Sequence, residues 1–169
     1  MPFGEELDED AAFLRQAIAI SAGARFEDGY TPFGAVVTVD GCVVGTGRSS
    51  VILLRDPTAH AEVMALREAG KTVDCHLIDG GVMYSSSEPC PLCLAACYWA
   101  GIERLVYAAT SGDAAHAGFD DGVFYEQLAL PNEQRTRLVE VRANSAARIE
   151  ARSVLEAWTT ARETRGARS

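Results

Sequence analysis

The sequence predicts an α/β protein, a three-layer α/β/α sandwich built on a mixed, largely five-stranded sheet. Three observations carry that expectation. Two apolar runs, residues 33–39 and 42–47, flank Asp40-Gly41, a two-residue turn signal that joins antiparallel strands. Two more apolar runs, residues 81–87 and 102–109, are separated by a helical stretch, and such a crossover joins parallel strands. Further helical stretches before, between and after these runs can cover both faces of a sheet.

Residues 8–24 place Ala11, Phe13, Leu14, Ala17, Ile18, Ser21 and Ala22 at helical spacing, with Asp8 or Asp10 as the candidate cap. Gly29 and Pro32 break the chain before the first strand, and Cys42, just past the hairpin turn, reads as a small strand residue. Residues 48–55 read as a loop. Pro57 suits the first turn of the next helix and Thr58 its cap, with the helix running through Glu68 and stopping at Gly70. Residues 71–80 are polar, and Cys75 and His76 there read as ordinary loop residues because no further ligands cluster beside them. After the strand at 81–87, Pro89 and Pro91 open a helix at 92–100, where Cys97 follows Cys93 by four and shares its face. A short helix or turn is expected at 113–118, and a short helix at 123–130 ended by Pro131. An edge strand at 138–142 would be the fifth. An Ala/Arg/Glu-rich helix from about 146 to 162 and a frayed tail at 165–169 complete the chain. With no repeat, linker or low-complexity segment, residues 1–169 read as a single domain.

Composition narrows the function classes. The formal net charge is −9 and 48% of residues are hydrophobic, with a pI near 4.8 and a mean hydropathy of +0.01. Gripping nucleic acid needs a basic footprint, so the acidity favours a small-molecule substrate. No apolar run approaches a membrane span, and Glu5-Glu6-Leu7-Asp8-Glu9-Asp10 is the opposite of a signal peptide's basic start. A cytoplasmic location is expected. Five cysteines, an odd number, fit reduced thiols better than a disulfide framework.

The chemistry sits in two motifs. The first is Asp56-Pro57-Thr58-Ala59-His60-Ala61-Glu62, and the second is Ser85-Ser86-Ser87-Glu88-Pro89-Cys90-Pro91-Leu92-Cys93. His60, Cys90 and Cys93 make a three-ligand zinc set with the fourth tetrahedral position left open, as in catalytic rather than structural sites. Glu62, two residues after the histidine, is the natural proton shuttle for water activated there. Cys90 and Cys93 lie at a helix N-terminus, where the dipole favours anionic sulfur. The backbone N–H of Cys90 is a candidate donor to the oxygen of a tetrahedral intermediate. Alone, C-x-x-C or H-x-E is weak. The ordered pair H-x-E and P-C-x-x-C is the known signature of zinc deaminases.

On these residues the chain resembles the cytidine deaminase superfamily, and within it the bacterial guanine deaminases. The resemblance also takes in Pro32-Phe33-Gly34-Ala35-Val36, Tyr98-Trp99-Ala100 and residues 115–121, ending Ala117-Gly118-Phe119-Asp120-Asp121. It implies hydrolytic release of ammonia from an aminated nucleobase or related N-heterocycle, a guanine-like free base first. It implies a substrate site at Phe33, Ser49, Ala61, Cys90 and Asp120, with Asp121 capping the helix that follows. It also implies a homodimer whose C-terminal segment, from about residue 146, packs over the active site or on a partner subunit. Two departures stand out. Ser49, seven residues before Asp56, occupies the place where the superfamily commonly has a base-reading asparagine. The tail after Arg162 lacks the aromatic that closes over the ring in guanine deaminases; the nearest here is Trp158. Two other readings share the motifs: a deaminase of tRNA adenosine or a nucleoside, and a non-enzymatic zinc-stabilised interaction protein, for which Glu62 has no use.

Overall fold

The computed structural model describes residues 9–166, and the chain divides into two compact units, Met1–Glu126 and Gln127–Ser169. The first is organised on a sheet of β1 (Gly34–Val39), β2 (Cys42–Arg48), β3 (Val82–Ser87) and β4 (Arg104–Ala109), in the order β2-β1-β3-β4. β1 runs antiparallel to both β2 and β3, while β3 and β4 are parallel. The sheet is therefore mixed, with four strands among the described residues rather than five. The expected edge strand at 138–142 does not form. Leu138, Val139 and Val141 are 70%, 87% and 85% exposed, so their apolar alternation has no packed face to settle on.

Helices cover both faces. On one side Val36 of β1 and Tyr84 of β3 pack against Ala17 of α1 (Asp10–Gly23). On the other, Ala35 and Val37 of β1 meet Ala61, Ala65 and Ala69, with Cys97 and Ala100 in the same cluster. The three alanines belong to α3 (Ala61–Thr72), and Cys97 and Ala100 to α4 (Pro91–Ala100). The segment expected as a loop before the first motif holds a one-turn helix, α2 (Val51–Leu54). After β4 come α5 (Ser111–His116) and α6 (Gly122–Ala129).

The fit of α3 on the sheet is unusually close. A Cβ added to Gly47 would stand 2.0 Å from the Ala61 carbonyl oxygen, and one on Gly45 2.4 Å from that of Ala65. Glycine on β2 and alanine on α3 together set the depth at which the helix rests.

Several boundaries differ from expectation for local reasons. Asp10 does not cap α1. It is fully buried and accepts hydrogen bonds from Tyr84 Oη at 2.9 Å and Arg104 Nη1 at 2.7 Å, with Arg104 also its ion-pair partner. Asp8 and the rest of the acidic N-terminal run before Glu9 lie outside the described residues. Pro57 and Thr58 form a turn ahead of α3: the Thr58 backbone N–H and hydroxyl both donate to Asp56 Oδ1, at 2.8 and 2.6 Å. Thr58 is thus not the cap. Nor does α3 stop at Gly70; it continues to Thr72, and the chain turns at Asp74, whose φ of 52° is left-handed.

The second unit holds the end of α6, a short 3-10 turn at Asn132–Gln134 and α7 (Ser145–Gly166). Gln127 Oε1 accepts from the backbone N–H groups of Thr136 and Arg137 at 2.7 and 3.0 Å, holding an otherwise irregular stretch. Asn144 Oδ1 accepts from the Ala147 backbone at 3.0 Å and so caps α7. The helix reaches Gly166, beyond the expected end near 162, and residues 167–169 of the expected tail lie outside the described residues. Its Val154, Leu155 and Trp158 are exposed.

Candidate metal centre and active site

Two helix N-termini meet at the site. His60 is the N-cap residue of α3, with ψ at 156°, and Cys90 is that of α4, with ψ at 169° and Pro91 following at the first helical position. Neither makes a side-chain capping bond. Their side chains turn instead toward each other. The Ser50 N–H donates to the Ala59 carbonyl at 2.8 Å, pinning the approach to His60. The Glu88 N–H donates to the Ala109 carbonyl at 2.8 Å, pinning the approach to Cys90. Tyr125 Oη adds a bond to the Pro89 carbonyl at 2.7 Å.

The Cys90 and Cys93 sulfurs are 3.6 Å apart, and His60 Nδ1 lies 3.6 Å from the first and 3.4 Å from the second. Tetrahedral zinc with bonds of about 2.3 Å to sulfur and about 2.0 Å to nitrogen separates its ligands by roughly 3.8 Å (S to S) and roughly 3.5 Å (N to S). The trio therefore has the donor chemistry and the spacing of a zinc site, and it is the group that could hold a metal ion among the described residues. The Cys90 sulfur is held as thiolate, its pKa lowered to about 4 by the Cys93 thiol first and the His60 ring second. The Cys93 thiol is raised in turn by Cys90 and by burial, and His60 is raised by its contact with Cys90. Sharing of protons among three close ligands is what a bound cation would displace.

Glu62, in the first turn of α3, is 5% exposed. Its Oε1 accepts from Ser85 Oγ at 3.0 Å and its Oε2 from Cys93 Sγ at 3.2 Å. Burial, ahead of all other causes, raises its pKa. Beside it opens a cavity of about 310 Å³ lined by Thr31, Phe33, Ser49, His60, Ala61, Glu62, Ser87, Glu88, Cys90, Phe119, Asp120, Asp121 and others. That volume lies at the small end of ligand sites.

The site residues expected from the sequence all meet here: His60, Cys90, Cys93 and Glu62 at the centre, Phe33, Ser49, Ala61 and Asp120 on the cavity wall. Phe33 is paired edge-to-face with Phe119, centroids 4.9 Å apart at 84°. Ser49 is buried and its Oγ accepts from Thr31 Oγ1 at 2.5 Å. Ser50 is turned to the Arg48 carbonyl at 2.9 Å and does not line the cavity. Both aspartates line the cavity. Asp120 Oδ1 accepts from the Gly122 N–H at 3.0 Å, the capping contact expected of Asp121, while the carboxyl of Asp121 is raised by burial and then by the charge on Cys90. Cys42, Cys75 and His76 are exposed and belong to no metal cluster among the described residues, whereas Cys97 is buried with its thiol pushed up to about 12 by burial. Sequence reasoning missed Thr31, Ser87, Glu88, Phe119 and Phe124 as wall residues. Ser87 and Glu88 stand inside the second motif and Phe119 inside the 115–121 stretch, but no spacing marked them as wall residues, and Thr31 and Phe124 left no trace.

Residues 7–109 match the model of the cytidine and deoxycytidylate deaminase zinc-binding region. The chain is 43% identical over 124 residues to the guanine deaminase of Bacillus subtilis, covering 73% of this chain and 80% of that one. The X-ray structure of guanine deaminase from the same organism aligns with a TM-score of 0.81 at 38% identity, covering 89% of this chain and 93% of the other. A tRNA-specific adenosine deaminase of Aquifex aeolicus is 35% identical over 106 residues, covering 63% of this chain and 68% of its own. The structure of NE0047 in complex with 2,6-diaminopurine aligns with a TM-score of 0.63 at 32% identity, over 69% of this chain and 65% of that one.

Proposed function

Since the chain belongs to the cytidine and deoxycytidylate deaminase family of zinc-binding enzymes, we propose that it is a zinc-dependent hydrolase that deaminates a free, guanine-like nucleobase and releases ammonia. The observation that carries this reading is Glu62, a carboxylate buried within hydrogen-bond reach of Cys93 in the ligand trio and of Ser85. A purely structural zinc site has no use for such a group.

Zinc bound by His60, Cys90 and Cys93 supplies Lewis-acid polarisation and brings the pKa of water toward neutrality. Glu62 moves the protons. Its raised pKa suits a carboxyl that accepts a proton from the attacking water and passes it to a ring nitrogen, then takes the second proton of that same oxygen and delivers it to the departing amine. Ser85 holds Oε1, which fixes the direction of the other oxygen. The backbone N–H groups of Ala61 and Cys90, at the starts of α3 and α4, stand where helix dipoles favour negative charge and so stabilise oxygen developing it. Phe33, braced by Phe119, offers a wall for a planar ring. Asp120, on the cavity wall, is the candidate for substrate binding or proton transfer, with Asp121 beside it.

Similarity to tRNA deaminases keeps a second reading in view. A net charge of −9 works against a tRNA footprint. Ammonia release from a panel of free bases, nucleosides and tRNA decides between them: the free base is expected to win, and turnover confined to tRNA would reverse the assignment. We further place the enzyme in the cytoplasm, in keeping with five free cysteines, and as a homodimer in which α7 packs on a partner or over the site.

A further inference from the structure

Strand β3 presents a side chain to the active-site face at every second residue. Met83 enters the core beside Ala65 and Ala69, Ser85 donates to Glu62 at 3.0 Å, and Ser87 is next on that face. A strand advances about 3.3 Å per residue, so Ser87 stands roughly 7 Å further along, on the cavity wall. It is 5% exposed, and its Oγ is buried without a hydrogen-bond partner. Its neighbour Ser86, on the opposite face, accepts from the Gly34 N–H at 3.0 Å, and Ser85 has Glu62. Buried hydroxyls are almost always paired, so an unpaired one on a residue that lines a ligand cavity points to a partner that arrives with the ligand.

The cavity wall says what that partner must offer. Glu62, Glu88, Asp120 and Asp121 supply acceptors, and among the described residues no Lys, Arg, Asn, Gln or Trp lines the space. Thr31 gives its proton to Ser49. Outside the ligand trio, that leaves the hydroxyls of Ser49 and Ser87 as the neutral side-chain donors. We propose that Ser87 is a specificity-determining residue whose hydroxyl donates a hydrogen bond to an acceptor atom, a ring nitrogen or carbonyl oxygen, on the edge of the planar aminated heterocycle. The proposal rests on the deaminase reading and deepens it. It makes the site selective for bases that carry an acceptor at that edge.

The test compares wild type with Ser87→Ala and Ser87→Thr, with zinc content and melting temperature measured for each. Substrates are guanine, its 3-deaza, 7-deaza and 9-deaza analogues, each short of one ring nitrogen, and 2,6-diaminopurine, which replaces the carbonyl with an amine. Both kcat/KM and calorimetric Kd are read. Ser87→Ala should keep its zinc and melt no lower than wild type, since it removes an unpaired hydroxyl. It should lose roughly tenfold to a hundredfold on guanine in kcat/KM and Kd. The loss should vanish on the analogue that lacks the contacted acceptor, and Ser87→Thr should recover most of it. Values within twofold of wild type on every ligand would overturn the proposal. So would an equal loss on all of them, or a loss accompanied by falling zinc content and melting temperature. Wild type that releases no ammonia from any base fails the deaminase reading by itself. Calorimetry on the same ligands then still decides Ser87, and absent or equal binding in wild type and Ser87→Ala counts against it.

Discussion

Glu62 is burdened with two demands that ordinarily conflict: it must be buried enough for its pKa to rise, and polar contacts must hold it still. Ser85 and Cys93 resolve the conflict by binding one oxygen each, at 3.0 and 3.2 Å. Glu62→Ala should keep zinc and fold but lose turnover by roughly 10²–10⁴-fold or more, the range of general acid–base catalysis. Activity within tenfold of wild type, in protein of matched zinc content, would put the proton shuttle elsewhere. Ser49 invites the complementary experiment. Its oxygen accepts from Thr31 and Ser50 faces away, so a single short hydroxyl stands where the superfamily commonly has an amide. Ser49→Asn should raise the kcat/KM ratio of guanine to its best competitor by roughly tenfold, the value of one recovered hydrogen bond. An unchanged ratio would remove Ser49 from the specificity residues. The central four residues were legible because their chemistry is encoded in short spacings within two motifs. Phe119 against Phe33 was not, because 86 positions of chain separate them and only the fold closes that gap.

At the scale of elements, the depth of α3 on the sheet matters more than its length. The Gly47 contact lies at Ala61, beside both His60 and Glu62, so any side chain there pushes directly on the catalytic turn. Gly47→Ala is expected to destabilise the protein by about 1–3 kcal/mol through overpacking. It should also lower kcat more than tenfold with KM little changed, since geometry and not affinity is disturbed. Chemical denaturation and steady-state kinetics measure the two effects; intact kcat with lowered stability would show that the turn can yield without cost to chemistry. The strands and helices around the metal motifs were readable from alternation and from Asp40-Gly41. The failures were local. Residues 138–142 alternate like a strand yet remain exposed, because alternation reports a preference and not the presence of a partner. Asp10 reads as a cap by position, but Tyr84 and Arg104, from strands far along the chain, draw it into the interior.

For the whole molecule, the exposed apolar residues point beyond a single chain. Tyr98 and Trp99 on α4 are 73% and 84% exposed, and Trp158 on α7 is 59% exposed. Large aromatic side chains left in water on two helices suit an interface. Light scattering should give twice the chain mass of 18.1 kDa at micromolar concentration, and a monomer there would end the homodimer proposal. The two helix starts at the centre have a consequence of another kind. His60 and Cys90 occupy cap positions but spend their side chains on the ligand cluster, so α3 and α4 lack the side-chain bonds that usually fasten a first turn. A cation clasped between them is their common clasp. Chelation should therefore speed amide hydrogen exchange in the opening turns of both helices together, while the exchange of Val36 and Val37 in the sheet stays slow. The metal would then be a tie rod as well as a reagent: its departure loosens the two ends that carry the chemistry before it threatens the body that carries them.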